Sequence, residues 1–220
     1  ADVVPAAAQK RAEEYGVAAL LARYFQKVPD GVVNDRWGVP YHGYLTREYL
    51  HVGEIQDVVW ESTRGLGLSF GYNQIEDDRH SLSGTELVRL FVDVVSKNGN
   101  LLINVGPRAG GSIPELQLAA MRELGAWLRV NGEAVYGTRP WVRAGDPGAP
   151  ALASPVAYTT TGGAVHAHAL DPAVGAVRLP EELRGRACRW IGAGDATADG
   201  AEVPIPEALR GAAAAVLTVR

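Results

Sequence analysis

An aspartate, an arginine and a tryptophan follow one another where a short apolar run ends in a loop. Residues 31–34 are typical of a short buried strand. Asp35, Arg36 and Trp37 follow them directly. In parallel α/β folds the carboxyl ends of strands carry the reactive side chains. A carboxylate, a guanidinium and an indole could bind a polar ligand with a flat face, such as a sugar. A structural Asp–Arg ion pair beside a packed tryptophan is the alternative.

Two glutamates lie next to aromatic residues. Glu48 precedes Tyr49, and Glu61 follows Trp60. An apolar wall disfavours ionisation of a carboxyl group, which suits a general acid near neutral pH. Surface glutamates greatly outnumber catalytic ones, so both remain candidates only. Asp2, close to the start of the chain, is a further acidic candidate at a position where fraying is usual.

Other motifs give no cofactor or metal site. The glycine-rich residues 65–71 depart from the dinucleotide fingerprint in the spacing of the last glycine, and residues 106–111 lack the Lys-Ser/Thr of a phosphate loop. His166 and His168 share one face of an alternating strand without a third ligand, so we expect exposed strand histidines. Cys188 is expected to be a small core residue. We expect no cofactor and no metal.

Composition narrows the class of protein. The 220 residues are 47% hydrophobic and 21% charged, as in globular proteins, and the net charge is −4. An acidic balance argues against a nucleic-acid partner, and no apolar run approaches the ~18 residues of a membrane span. Ala1–Lys10 shows no signal peptide, and a lone cysteine forms no internal disulfide. A cytoplasmic location is the resulting expectation.

Periodicity divides the chain near Gly137. Before it we expect a helix over residues 6–27, divided at Gly16, then strands near 58–60 and 101–105. Helices are expected to follow two capping boxes, Ser83 with Glu86 and Ser112 with Glu115. After Gly137, short strands are expected at 156–160, 164–170, 176–179, 187–191 and 213–219.

These elements predict an α/β fold in two parts. Strand–helix alternation over residues 1–140 indicates a parallel sheet, but with about three strands, too few to close an eight-stranded barrel. Short strands separated by turns over residues 141–220 favour a small antiparallel β-sandwich. The strand at 101–105, apolar at nearly every position, is typical of a sheet covered on both faces.

Five ordered motifs together resemble the α-L-fucosidases of glycoside hydrolase family 29. They are VNDRWG (residues 33–38), TREY (46–49), WESTRGLGLSFGYN (60–73), VVSKNGNLLINVGP (94–107) and NGEAVYGTRP (131–140). The resemblance implies a retaining exo-glycosidase that cleaves terminal α-L-fucose, with a (β/α) TIM-like barrel followed by a β-sandwich. It also implies an aspartate nucleophile and a glutamate acid/base, with their carboxyl groups ~5–5.5 Å apart.

The resemblance assigns roles residue by residue. Glu48 matches the acid/base of members with the Thr-x-Glu-Tyr pattern, and Glu61 matches the acid/base of other branches and is the second choice. Arg36 matches a sugar-contacting arginine, with Trp37 beside it. Asp2, in a shortened stretch without the family's tryptophans, is the candidate nucleophile, although a free chain end cannot by itself hold a nucleophile rigidly.

Only the later half of the family's barrel is matched. A half barrel exposes apolar sheet edges, so the expected partner, besides a fucosylated glycan or small fucoside, is a second copy that completes the barrel. Two other interpretations stay open. The chain could be a catalytically silent carbohydrate-binding or structural remnant of a fucosidase, or a fragment studied for folding alone.

Overall fold

The computed structural model describes residues 6–146 and 154–220. Its first part alternates helices with strands that pair in parallel. The elements are α1 (Ala6–Glu14), α2 (Val17–Lys27), β1 (Leu45–Glu48), β2 (Trp60–Gly65), α3 (Gly84–Ser96), β3 (Gly99–Asn104) and α4 (Glu115–Asn131). Strands β1, β2 and β3 form a three-stranded parallel sheet in that order.

The register of the parallel sheet separates a helix-covered face from a site face. Trp60 lies opposite Gly99 and packs with Leu45, Leu90 and Val94, which places it on the side of α3. A Cβ atom at Gly99 would lie 2.6 Å from the Trp60 ring, so glycine leaves the space that the indole occupies. The alternate residues form the site face, which we define as Thr46, Glu48, Glu61, Thr63, Asn100 and Leu102.

Two predicted strands differ from those observed. Residues 31–34 form no regular strand, because they pair through a single bridge from Asn34 to Tyr44, and Val32 is 62% exposed. Val58 and Val59 are also exposed and lie before β2, since Trp60 is the first residue of that segment to reach the buried layer. On the site face Leu102 is 45% exposed, so the described residues do not cover β3 on both faces.

Local signals account for most helix boundaries. Gly16 adopts φ 64 and separates α1 from α2, as expected. The capping box of α3 is confirmed: Ser83 and Glu86 each accept a hydrogen bond from the other's backbone N–H. The prediction of a second capping box, formed by Ser112 and Glu115, is wrong. Helix α4 begins at Glu115 after Pro114, and no side chain caps it.

The second part of the chain is antiparallel. Its strands are β4 (Arg139–Gly145), β5 (Val156–Thr161), β6 (Ala164–Ala169), β7 (Ala176–Arg178), β8 (Cys188–Trp190), β9 (Gly194–Ala196), β10 (Glu202–Pro204) and β11 (Ala215–Val219). Six of them form one sheet in the order β4-β5-β6-β11-β8-β9, and β10 pairs with β7. The expected strands are all present, and Cys188 is buried as expected.

The antiparallel sheet shares a core with the helices of the first part. Ala157, Leu170 and Val216 pack in one cluster with Leu87 and Trp127. The other face of the six-stranded sheet packs against β7 and β10 around residues such as Tyr158, Trp190 and Leu217. The expected boundary between residues 140 and 141 falls inside β4.

The expectation of exposed histidines is wrong. His166 and His168 are 2% and 0% exposed, because the face of β6 that carries them lies under the helical layer. Trp127 of α4 lies with its ring centre 6.2 Å from that of His168. An alternation of alanine and histidine indicates a half-buried strand only when one face of the sheet meets water, and here both faces are covered.

Within residues 6–146 and 154–220, no helix combines the length and apolar character needed to cross a membrane.

Candidate active site

The loop that carries Arg36 is built by two side chains that cap and tie it. Residues Asp35–Trp37 form a 3-10 turn that Asn34 caps, since Asn34 Oδ1 accepts from the Arg36 backbone N–H at 3.2 Å. Asp35 Oδ1 accepts from both the backbone N–H and the hydroxyl of Thr46, at 2.9 and 2.5 Å. The turn is therefore fastened to β1.

Helix α1 packs beneath the same loop. Gly38 adopts φ 70, and a Cβ atom there would lie 2.5 Å from the carbonyl oxygen of Ala8. Ala12, Val17 and Leu21 form a small buried cluster, against which Val33 and Val39 pack. Backbone on both sides of Arg36 is thus held against the first two helices.

The arginine and the first-choice glutamate meet at the end of β1. Arg36 Nη2 lies 2.8 Å from Glu48 Oε2, with the side chains 51% and 40% exposed. Glu48 is the last residue of β1, so the pair lies where the strand ends. Two of the side chains expected to share a site are therefore in contact.

The hydrogen bonds to Asp35 fix its charge. Burial acts to raise the pKa of this carboxyl group, but the two hydrogen bonds from Thr46 outweigh it, and the pKa is lowered from its usual value. Asp35 thus stays ionised at neutral pH and continues to accept both bonds. Sequence reasoning placed Asp35 in the ligand-binding group, whereas its described contacts are to Thr46 and hold the loop.

Glu61 lies lower on the site face than Glu48. It is the second residue of β2 and is in register with Thr46, whereas Glu48 is in register with Thr63. That offset of two residues is about 6.6 Å along the strand. Thr63 Oγ1 donates to Glu61 Oε1 at 3.2 Å. Consecutive strand residues point to opposite faces, so Trp60 forms no apolar wall for Glu61.

Tyr44 lies close to the carboxylates of Glu61 and Asp35. Burial raises the pKa of its phenol, and the negative charges of Glu61 and Asp35 raise it further. Tyr44 is therefore a neutral hydrogen-bonding group beside Glu61. Nothing in the sequence pattern singled it out, because its place comes from the bridge that pairs it with Asn34.

Half-exposed aromatic rings surround the end of the sheet. Trp37 is 41% exposed, and Phe70 and Tyr72 in the loop after β2 are 38% and 43% exposed. The Asn104 side-chain amide at the end of β3 donates to the Phe70 carbonyl oxygen. The loop after β2 is thus tied across to β3.

Asp2, the expected nucleophile, lies outside the described residues. Its role as the nucleophile stays a prediction. Among the described residues, no three histidine, cysteine, aspartate or glutamate side chains converge in a way that could hold a metal ion.

A parallel sheet with helices, a cation–carboxylate pair at a strand end and aromatic rings beside it define an α/β protein with a candidate sugar-binding site. The family model for α-L-fucosidase matches residues 3–133. The chain therefore belongs to the α-L-fucosidase family.

Curated relatives agree with this assignment over part of their length. The chain is 35% identical over 115 residues to an α-L-fucosidase of Dictyostelium discoideum and 38% identical over 116 residues to the human plasma α-L-fucosidase. Each match covers 50% of this chain and 25% of the relative. The match to an α-L-fucosidase of Branchiostoma floridae is 34% over 146 residues and covers 64% and 32%.

Solved structures match nearly all of the chain. The α-fucosidase of Thermotoga maritima in complex with a mechanism-based inhibitor is 36% identical, with a TM-score of 0.79 over 93% of this chain and 48% of that one. Isoenzyme 1 from Paenibacillus thiaminolyticus is 27% identical, with a TM-score of 0.79 over 94% and 54%. The chain thus spans about a quarter of the curated relatives and about half of the solved structures it matches.

Proposed function

We propose that this chain carries the acid/base half of a retaining exo-glycosidase that hydrolyses terminal α-L-fucosides. The observation that carries the proposal is the contact between Arg36 and Glu48 at the end of a parallel strand, 2.8 Å apart and open to a ligand. The family supplies the class of substrate. The position of the pair suits catalysis because reactive groups of parallel α/β folds lie at the carboxyl ends of their strands.

The proposed reaction has two steps. Asp2 attacks the anomeric carbon, the glycosidic C–O bond breaks, and the proton of Glu48 passes to the leaving oxygen. Glu48, now ionised, takes a proton from water, whose oxygen attacks the anomeric carbon and displaces the Asp2 carboxylate. Fucose leaves with its anomeric configuration retained, and Glu48 is again protonated.

The remaining roles follow from geometry. Arg36, held by the Asp35–Thr46 hydrogen bonds, donates to a sugar hydroxyl beside Glu48. Trp37 offers its half-exposed ring to the apolar face of the sugar. Glu48 is preferred to Glu61 as the acid/base because Glu61 lies nearer the amino end of its strand and accepts a hydrogen bond from the Thr63 hydroxyl. The proposed chemistry needs no cofactor and no metal.

We propose that the three strands belong to an incomplete TIM-like barrel, which a second copy of the chain completes. Strand β3 pairs with β2 alone, and beyond β1 the described chain adds only the single bridge at Asn34. Sheet edges of this kind are templates for further pairing. Exposure of Val32 and Leu102 adds apolar surface that closure of a barrel would cover.

A catalytically silent, carbohydrate-binding remnant is the second candidate. The coverage of the relatives favours it, since the chain spans 25% of the human plasma enzyme and 48% of the Thermotoga maritima one. Such a protein would bind fucose through Arg36 and Trp37 without turnover.

The two candidates separate in one assay series. The purified chain is incubated with an aryl and an alkyl α-L-fucoside. Light scattering on the same sample measures whether a second copy is bound, and NMR of the first anomer released shows whether the configuration is retained. Glu48→Gln is expected to reduce alkyl fucoside hydrolysis ~100- to 10,000-fold, the usual contribution of a general acid, and to affect the aryl substrate far less. Glu61→Gln is the matched control, and Asp2→Asn is expected to abolish turnover of both. Fucose binding without turnover would support the silent remnant.

A further inference from the structure

The residue after Glu48 has an unusual backbone conformation. Tyr49 has φ 53, and in the described residues only Asn98 among the other non-glycine residues shares a positive φ. A bulky side chain in this region is strained and persists only where the surroundings enforce it. The strain lies directly beside the proposed acid/base, so the contacts that maintain it also decide where the chain turns after Glu48.

The phenol oxygen of Tyr49 supplies two of those contacts. It accepts from the Gly65 backbone N–H at 3.0 Å and donates to the Gly67 carbonyl oxygen at 3.4 Å. Gly65 ends β2 and has no space for a side chain, because a Cβ atom would lie 2.4 Å from the Ser69 carbonyl oxygen. The backbone that receives the phenol is therefore itself closely packed.

The ring of Tyr49 is held on two further sides. Phe70 meets it edge-on with ring centres 5.5 Å apart, and the Arg64 guanidinium lies 5.2 Å from its centre. Because Asn104 donates to the Phe70 carbonyl oxygen, the contacts continue to the end of β3. The Tyr49 side chain thus connects the ends of β1 and β2 directly and that of β3 through Phe70.

We propose that Tyr49 is the positioning residue for Glu48, and the proposal rests on the proposed function. The pair with Arg36 is half-exposed and therefore a weak constraint on the direction of the carboxyl group. The backbone N–H of Tyr49 donates to the Thr63 carbonyl oxygen at 3.2 Å, so β1 and β2 stay paired up to the turn. Tyr49 completes this arrangement by anchoring the turn itself, which keeps Glu48 aimed at the leaving oxygen.

The kinetic test uses the full chain and two leaving groups. Tyr49→Phe keeps the ring and removes both hydrogen bonds of the phenol. A misdirected acid costs most where the leaving group needs a proton, so kcat/KM for an alkyl fucoside should fall about 10-fold and for a dinitrophenyl fucoside less than about 3-fold. The loss should appear in kcat rather than KM. Tyr15→Phe, at a tyrosine that is 79% exposed, is the matched control.

A second variant separates backbone from side chain. Asparagine tolerates positive φ well, so Tyr49→Asn keeps the turn while removing the ring and both hydrogen bonds. It should lose more alkyl fucoside activity than Tyr49→Phe. Equal losses on both substrates in either variant would show a merely structural role and overturn the proposal.

A readout independent of turnover distinguishes failure of the proposal from failure of the proposed function. Hydrogen exchange of the Gly65 amide should become at least about 10-fold faster in Tyr49→Phe, because its acceptor is gone. The side-chain carboxyl carbon signal of Glu48 should shift or broaden in the same variant. If the wild-type chain hydrolyses neither fucoside, the proposed function fails, and an unchanged Glu48 signal in Tyr49→Phe would then overturn the positioning role as well.

Discussion

Acid should loosen the packing between α4 and the antiparallel sheet, because His168 is buried there without charge. Its side chain is 0% exposed, and its Nε2 lies 3.0 Å from the Thr159 hydroxyl oxygen. That hydroxyl donates its single proton to the Ala134 carbonyl oxygen at 2.7 Å. Nε2 must therefore be the donor, which leaves Nδ1 unprotonated, buried and without a hydrogen-bond partner.

The size of the effect follows from the pKa of His168. Burial, and to a smaller extent the neighbouring His166, lowers that pKa to about 3 from the 6.5 of an unperturbed histidine. The unfolded chain takes up the proton below pH 6.5 while the folded chain does not, so stability is complete above that pH and falls as the pH decreases towards 3. At pH 5 the loss is ~2 kcal/mol, at 1.36 kcal/mol per pH unit. Burial also lowers the pKa of His166, which adds a loss of the same sign.

Urea unfolding followed by tryptophan fluorescence measures this loss. The free energy of unfolding of the wild type and of His168→Gln is determined at pH 7 and pH 5. The variant cannot titrate at this position, so the stability difference between wild type and variant should shrink by ~2 kcal/mol at the lower pH. His42→Gln, at an exposed histidine, is the matched control. A difference that stays constant between the two pH values would refute the reasoning.

Two further substitutions test how the site is supported. Lys97→Met should destabilise the chain by ~3–5 kcal/mol, because it leaves the buried Asp93 carboxylate, 2.5 Å from Lys97 Nζ, without its partner. Adding Asp93→Leu to this variant should restore most of the lost stability. A Lys97→Met variant as stable as the wild type would contradict the argument. Gly38→Ala should cost more than ~1 kcal/mol in urea unfolding, because φ is 70 and the Ala8 carbonyl oxygen occupies the space. Gly53→Ala, with open space around its backbone, is its control, and equal stabilities of the two variants would count against the close contact.

Sequence patterns predicted much of the first part of the chain because contacts between neighbouring residues determine the local structure there. The capping box at Ser83 and Glu86 satisfies backbone donors of its own helix, so no distant contact is needed to form it. The resembling motifs brought Arg36 and Glu48 together before any geometry was known, and the two are in contact. The Ser112 capping box failed although its pattern is the same: helix α4 begins at Glu115, after Pro114, and no side chain caps it.

Contacts between distant segments explain what the sequence pattern missed. The burial of His168 depends on α4, which is far away in the chain, and a polar residue alternating with alanine carries no sign of it. Family resemblance alone made Glu48 the first choice over Glu61, and the two-residue offset in strand register between them is visible only in the structure. The left-handed turn at Tyr49 is imposed by the loop after β2, and tyrosine itself gives no signal for it.

The core that α3 and α4 share with the antiparallel sheet has a practical consequence for anyone who shortens this chain. Truncation near residue 140 would strip Leu87, Val88 and Trp127 of the apolar partners that Ala157 and Val216 provide. It would also remove the Ala214 carbonyl oxygen, to which the Trp127 indole N–H donates at 2.8 Å. A shortened chain that keeps this core must therefore extend through β11. This strand is the last in the sequence but lies inside the sheet, between β6 and β8.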